Sequence, residues 1–172
     1  MLLENELIRL RAPEPEDLAD FYRWENDTSL WESGSALAPY SRYQLKQLIA
    51  GANDIYENKQ LRFTVEETAS HRAVGTVDIY DFTPHHNRAS FGLLIDRAHQ
   101  KKGYACMALN LMRDYAFEFL HLHQLYCFAS ERNIPSIRML ERCGFVSCGV
   151  LKDWLRTGNG YDNAILFSSV SK

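Results

Sequence analysis

Apolar and basic residues alternate in Leu7-Ile8-Arg9-Leu10-Arg11, which predicts a strand with one face on a core. Ala12-Pro13-Glu14-Pro15 breaks it. From Glu16 the apolar residues Leu18, Phe21, Tyr22 and Trp24 recur at helical spacing, with Asp and Glu in the first turn where the dipole favours them. That helix ends near Asn26. Residues 27–40 carry Trp31, Glu32, Gly34 and Pro39 without a clear period, an irregular connection whose acidic and aromatic side chains suit a substrate lip. Ser41 then caps a second helix with Tyr43, Leu45, Leu48, Ile49, Ile55 and Tyr56 as its apolar positions and a break at Gly51.

Three strand-like runs follow at 61–66, 73–82 and 89–95. The polar turns between them are short, so an antiparallel meander is the economical arrangement. From Gly103 to about Leu120 the period is helical: Tyr104, Ala108, Leu111, Tyr115 and Phe119 share one face, and Asn110, Asp114 and Glu118 a polar stripe. This helix crosses to a strand at 124–129, so the strands on either side of it run parallel. A shorter helix reaches about Arg142, with Pro135 in its first turn and Gly144 placed for a left-handed cap, so that Phe145 folds back on it. Residues 146–151 and 163–170 close the chain as a hairpin turning within 156–160. With no repeat or linker, the 172 residues are expected to form a single domain, 1–172, of mixed α+β class.

Composition narrows the classes of function. An apolar fraction of 46% and a charged fraction of 24% are ordinary for a globular protein. The formal net charge of -3 gives no global field for nucleic acid, so none is expected as a partner, and the balance tilts towards small cations. No apolar run approaches the roughly 18 residues of a spanning helix and no basic segment precedes a hydrophobic one at the start, so no membrane association is expected and a cytoplasmic location is. Cys106, Cys127, Cys143 and Cys148 are irregularly spaced within apolar patterns and read as free buried thiols. The histidines show no ligand spacing, and no metal site is expected.

The stretch from Leu93 to Cys106 carries the most chemistry. A buried strand, Leu93-Leu94-Ile95, leads through a loop containing Gln100, Lys101, Lys102 and Gly103 into a helix opened by Tyr104 and Ala105. The first N–H groups of a helix lack internal partners and sit at the positive end of its dipole, so this junction suits a phosphate, with the lysines adding charge. It also lies at the carboxyl ends of parallel strands, where α/β proteins commonly bind ligands. An ordinary strand-to-helix turn with a solvated basic tip would look the same from the loop alone.

Two motifs stand in order: Gln100-x-x-Gly103-x-Ala105, and Asn133-x-Pro135-Ser136-x-x-Met139-Leu140-x-x-Cys143-Gly144-Phe145 after the next strand. Together they resemble the GCN5-related N-acetyltransferase (GNAT) family, most of all its bacterial branch of spermidine/spermine and ribosomal-protein N-terminal acetyltransferases. The resemblance implies a mostly antiparallel twisted sheet with one splayed parallel strand pair and flanking helices. It implies acetyl-CoA as co-substrate, its pyrophosphate on the backbone of Gln100, Lys101, Lys102, Gly103, Tyr104, Ala105 and Cys106. The pantetheine arm would lie along Leu93, Leu94 and Ile95, with Asn133 on the opposite side.

Acetyl transfer requires an amine that has lost a proton, a polarised thioester and protonation of the leaving thiolate. Many relatives assign the last task to a tyrosine seven residues after the motif's asparagine; here that residue is Leu140, which donates nothing. Ser136, one turn earlier, or a water is the substitute considered, although a first-turn serine needs no such role. Asp78 and Asp81 stand in an apolar strand and, three apart, face opposite sides if it is regular. By resemblance to the polyamine enzymes, Asp81, and Glu32 in the preceding loop, line the substrate site and draw in a cation, with Asp81 accepting its proton. The leading expectation is direct transfer to a polyamine or similar small amine. A protein N-terminal α-amine is the alternative that Leu140 favours. A non-catalytic acyl-CoA-binding module and a nucleotide-binding protein are the other classes, and self-association is left open.

Overall fold

The computed structural model describes residues 3–31, 37–51 and 53–171. Glu32 lies outside them. Seven strands form one sheet: β1 (Ile8–Arg11), β2 (Leu61–Glu67), β3 (Arg72–Thr83), β4 (Arg88–Ile95), β5 (Gln124–Ser130), β6 (Val146–Thr157) and β7 (Gly160–Val170). Their order is β1-β2-β3-β4-β5-β7-β6, antiparallel throughout except for the parallel β4–β5 pair. The helices are α1 (Leu18–Glu25), α2 (Arg42–Ala50), α3 (Ile55–Asn58), α4 (Tyr104–Asp114) and α5 (Ile134–Arg142).

Local chemistry sets the element ends. Ser41 accepts from Gln44 N at 3.1 Å while the Gln44 side chain accepts from Ser41 N at 2.8 Å, a reciprocal cap that satisfies two orphan N–H groups of α2. The break expected at Gly51 is where the helix divides in two: Gly51 is extended, and Asp54 recaps α3 by accepting from Tyr56 N and Glu57 N. The long helix after Gly103 runs to Phe119, close to the expected end, but not with one period throughout. It continues past Asp114 as one π turn, Tyr115–Phe119, whose wider hydrogen bonds rotate the apolar stripe: Leu109, Met112 and Ala116 are buried, while Phe119 is exposed. The closing hairpin is longer than expected, with β6 and β7 pairing out to Thr157 and Gly160.

The two sheet faces carry different helices. Tyr104, Ala108, Leu109 and Met112 of α4 and Leu140 of α5 pack with Ile8, Leu10, Val65, Val77, Ile79 and Phe91 into the main core. Phe21 and Trp24 of α1 and Leu45 of α2 cover the other face, against Leu94. Fully burying one such side chain contributes about 1.5–3 kcal/mol before entropy is counted. Phe145 folds back as expected, its N–H donating to Leu140 O at 3.0 Å after the left-handed Gly144, and its ring lies 5.0 Å from that of Phe91.

The feature that positions the site is the way β4 and β5 part. They pair only at Arg88–Gln124, Ala89–Leu125 and Ser90–Tyr126. Beyond that point β4 stays paired with β3 as far as Ile95–Gly75, and β5 with β7 as far as Ser130–Ala164. The opening therefore lies between two intact ladders, and from Phe91 onward the β5-facing edge of β4 has no strand beside it. Backbone groups left unpaired in this way need another partner.

Candidate active site

Below the open end of β4, residues Arg97–His99 form a 3-10 turn, and Gln100 Nε2 reaches back to donate to Ile95 O at 3.1 Å. Lys101 and Gly103 adopt positive φ, 64° and 84°, bringing the chain round to the start of α4. A Cβ at Gly103 would meet only Met107 Cε, at 3.5 Å, so glycine is demanded there by conformation, not by space. The first α-helical bond runs from Met107 N to Gly103 O at 3.2 Å, so Tyr104, Ala105 and Cys106 present their N–H groups ahead of the helical ladder. Lys102 Nζ lies 5.7 Å from the centre of the Tyr104 ring. The Tyr104 side chain itself is buried and donates its hydroxyl to Glu67, which fastens α4 to β2. This junction has the free N–H groups and neighbouring positive charge that an anion needs.

The loop is held from the other face by Asp96, which the sequence reading did not single out. Its carboxylate is buried and accepts from Arg23 Nη2 at 2.6 Å, Trp24 Nε1 at 3.0 Å and Ala98 N at 3.1 Å. Arg23 is the main reason that its pKa lies low, at about 2, against the upward push of burial. One carboxylate thus ties α1 to the end of β4. The pattern that could have flagged it is an aspartate directly after a buried strand and two residues before a turn N–H.

Across the opening, Asn133 precedes α5 and its Oδ1 accepts from Ser136 N at 3.2 Å, so its carbonyl caps the helix while its amide nitrogen remains as a donor. Ser136 is partly buried in the first turn. Leu140 is 3% exposed and packed in the core, so the position of the family's usual tyrosine faces apolar neighbours here.

The two strand carboxylates separate for a reason that regular alternation does not give. Between Tyr80–Ser90 and Thr83–Arg88 the β3 register slips, and Asp81 takes φ of 52°. The bulge puts Phe82 in the main core and leaves Asp81 exposed. The alternation that would set Asp78 and Asp81 on opposite faces does not apply, because the strand is not regular between them. Asp78 is the enclosed one, bonded to Arg62 Nε at 2.6 Å, while Arg62 Nη1 donates to Glu25 at 2.6 Å. Burial pushes Asp78 upward although Arg62 pulls it down. The charge of Asp81 reaches Tyr80 and Tyr126, both already pushed up by burial. Tyr126 leads into an aromatic row, its ring 5.9 Å from Phe128, which is 6.3 Å from Trp154.

The thiols also need correcting. All four cysteines are free, Cys127 and Cys143 are buried, but Cys148 is exposed because β6 is an edge strand with little laid over it. Burial pushes the Cys127 and Cys143 thiols up to about 12. Among the described residues, no three His, Cys, Asp or Glu side chains gather as a metal cluster, and no helix is long and apolar enough to cross a membrane.

A splayed parallel pair, free N–H groups opening the following helix and an asparagine across the gap are the arrangement that the resemblance implied for an acyl-CoA-dependent transferase. Comparison with known proteins agrees: residues 8–146 match the acetyltransferase (GNAT) domain, and the chain belongs to the GNAT family of acyltransferases. It is 31% identical over 148 residues to the spermidine N(1)-acetyltransferase of Vibrio cholerae, spanning 86% of this chain and 83% of that one. A structure of spermidine N-acetyltransferase from Vibrio cholerae in complex with CoA and spermine superposes with a TM-score of 0.84 at 28% identity, covering 97% of each chain. The ribosomal-protein-S5-alanine acetyltransferase of Vibrio fischeri shares the fold, with a TM-score of 0.83 at 24% identity over 98% of this chain and 96% of that one.

Proposed function

We propose that this GNAT transferase moves the acetyl group of acetyl-CoA directly onto a small polyamine-like cation. The observation that supports the acceptor is the β3 bulge, which leaves the Asp81 carboxylate exposed with its charge felt at Tyr80 and at Tyr126, the start of the row of rings that runs to the exposed Phe128 and Trp154. A carboxylate beside aromatic faces suits an extended ammonium chain, which needs charge at its ends and apolar contact along its methylenes. The similarity to a spermidine acetyltransferase supports the same class.

The donor reading rests on the open edge of β4. The pantetheine amides would add to Leu93, Leu94 and Ile95 as a further strand, and the diphosphate would sit on the N–H groups of Gly103 to Cys106 with Lys101, Lys102 and Gln100 around it. Asn133 would meet the arm through its amide nitrogen, since its oxygen is used in the cap. Acetyl-CoA supplies the activated thioester. Asp81 would take the ammonium proton, directly or through water, and Ser136 stands one turn into α5 on the donor side. A covalent acetyl-cysteine step is disfavoured by the Cys127 and Cys143 thiols, which burial keeps protonated. A cytoplasmic enzyme is the expectation that accompanies this substrate.

A second reading, acetylation of a protein N-terminal α-amine, is favoured by the buried Leu140 in place of a tyrosine. Thiol release from acetyl-CoA separates the two on a panel of spermidine, spermine, putrescine and peptides with free N-termini. Turnover with the polyamines is expected. Turnover with peptides alone moves the assignment to the second reading, and CoA binding with no turnover makes the chain a non-catalytic acyl-CoA module.

A further inference from the structure

Tyr80 stands opposite Ser90, the last β4 residue to pair with β5. Its ring does not lie flat on its own strand. A Cβ built on Gly92, two residues into the open stretch of β4, would come within 3.4 Å of Tyr80 Cε1, so the ring leans over β4 beside the start of the opening. The Ser90 hydroxyl at the same point is 1% exposed and lies against the Tyr80 hydroxyl, which it pulls towards ionisation. On α5, where relatives keep a tyrosine, Leu140 is sealed in the core.

We propose that Tyr80, with Ser90 beside it, is the catalytic acid that protonates the leaving CoA thiolate, in the place of the absent tyrosine on α5. The inference rests on the reading that the thioester of acetyl-CoA lies at the apex of the β4–β5 opening. The amine, having shed one proton, attacks the thioester carbonyl carbon. As the C–S bond breaks, sulfur leaves with its electron pair and takes the proton of Tyr80 Oη. The surplus proton on the new amide nitrogen returns through the Ser90 hydroxyl to the Tyr80 oxygen, so acetyl-CoA and amine become CoA thiol and acetylated amine with the enzyme unchanged.

The surroundings suit an acid. Burial raises the Tyr80 hydroxyl, the charges of Asp81 and Asp78 on its own strand act in the same direction, Cys127 on β5 would add to them only if ionised, and the hydrogen bond with Ser90 on β4 opposes them. Tyr80 is therefore protonated at neutral pH, as a thiolate's proton donor must be.

The test uses the full chain with CoA and spermidine. Tyr80→Phe keeps the ring and removes the hydroxyl. The expected result is a fall in kcat of about 10²-fold with the KM for acetyl-CoA unchanged, consistent with a general acid. A second readout needs no turnover: the thiol of bound CoA, titrated by its ultraviolet thiolate absorbance, rises in pKa by about one pH unit in Tyr80→Phe because the thiolate has lost its donor. Ser90→Ala gives the same direction with a smaller change. A kcat within threefold of wild type and an unmoved thiol titration overturn the proposal. Wild-type protein that fails to bind CoA overturns the donor reading beneath it, a separately visible result. A Tyr80→Phe chain that loses its cooperative thermal transition shows the hydroxyl to be a structural anchor and also overturns it.

Discussion

Arg23 and Asp96 lie 73 residues apart and meet at 2.6 Å, joining α1 to the foot of the open strand β4. Because the Asp96 carboxyl is held at about 2 instead of its ordinary 3.8, the folded state gains stability from its ionised form. That gain is complete above the ordinary value and is lost as pH falls through about 2. The Arg23 side chain is 56% exposed, so solvent screens the pair and the gain at neutral pH is discounted to about 1–2 kcal/mol. Asp96→Asn is expected to lower the urea midpoint at pH 7, with the difference from wild type closing between pH 4 and pH 2. A difference independent of pH would show that packing, not charge, fastens the two elements.

Gly103→Ala tests the proposed anion site. Alanine at a φ of 84° costs about 1–2 kcal/mol, and relief of that strain turns the N–H groups of Tyr104 and Ala105 out of line. Calorimetric titration is expected to show CoA affinity about tenfold weaker, equivalent to about 1.4 kcal/mol. An unchanged affinity would place the phosphates elsewhere.

Which parts of this were legible in the residues follows from the range of the interactions involved. The strand, loop and helix order around Leu93 to Cys106 rests on local periodicity and on one glycine, and could be read directly. So could the fold-back of Phe145 behind Gly144. The β3 bulge could not, because one extra residue in a strand leaves the alternating pattern of Val77, Ile79 and Phe82 ambiguous until the partner strand fixes the register. Asp96 was hidden for a related reason: both of its α1 partners are far away in the chain. The π turn at Tyr115–Phe119 likewise shifted a helical face that a constant period had placed on Phe119.

Leu140→Ala separates packing from chemistry on α5. With the side chain 3% exposed, truncation is expected to destabilise the fold by about 2–5 kcal/mol, read from chemical denaturation. The pH dependence of kcat in the remaining folded enzyme should keep its shape, since leucine holds no proton. A changed pH profile would mean that this position influences the reacting groups after all.

Asp81→Asn addresses acceptor choice. Removing the exposed charge on the bulge should raise the KM for spermidine about tenfold and flatten its dependence on salt, in addition to the fall in kcat that loss of the proton acceptor brings for spermidine and a peptide N-terminus alike. Equal loss for both acceptors would assign Asp81 to proton transfer alone.

The most direct test of the whole account is a crystal structure of the protein with CoA and spermidine. The account predicts the pantetheine arm alongside residues 91–95 in the β4–β5 opening, the diphosphate on the N–H groups that open α4, the sulfur within reach of the Tyr80 hydroxyl, and an ammonium group of spermidine against Asp81. CoA bound outside the opening, or spermidine seated away from Tyr80 and Asp81, would contradict it.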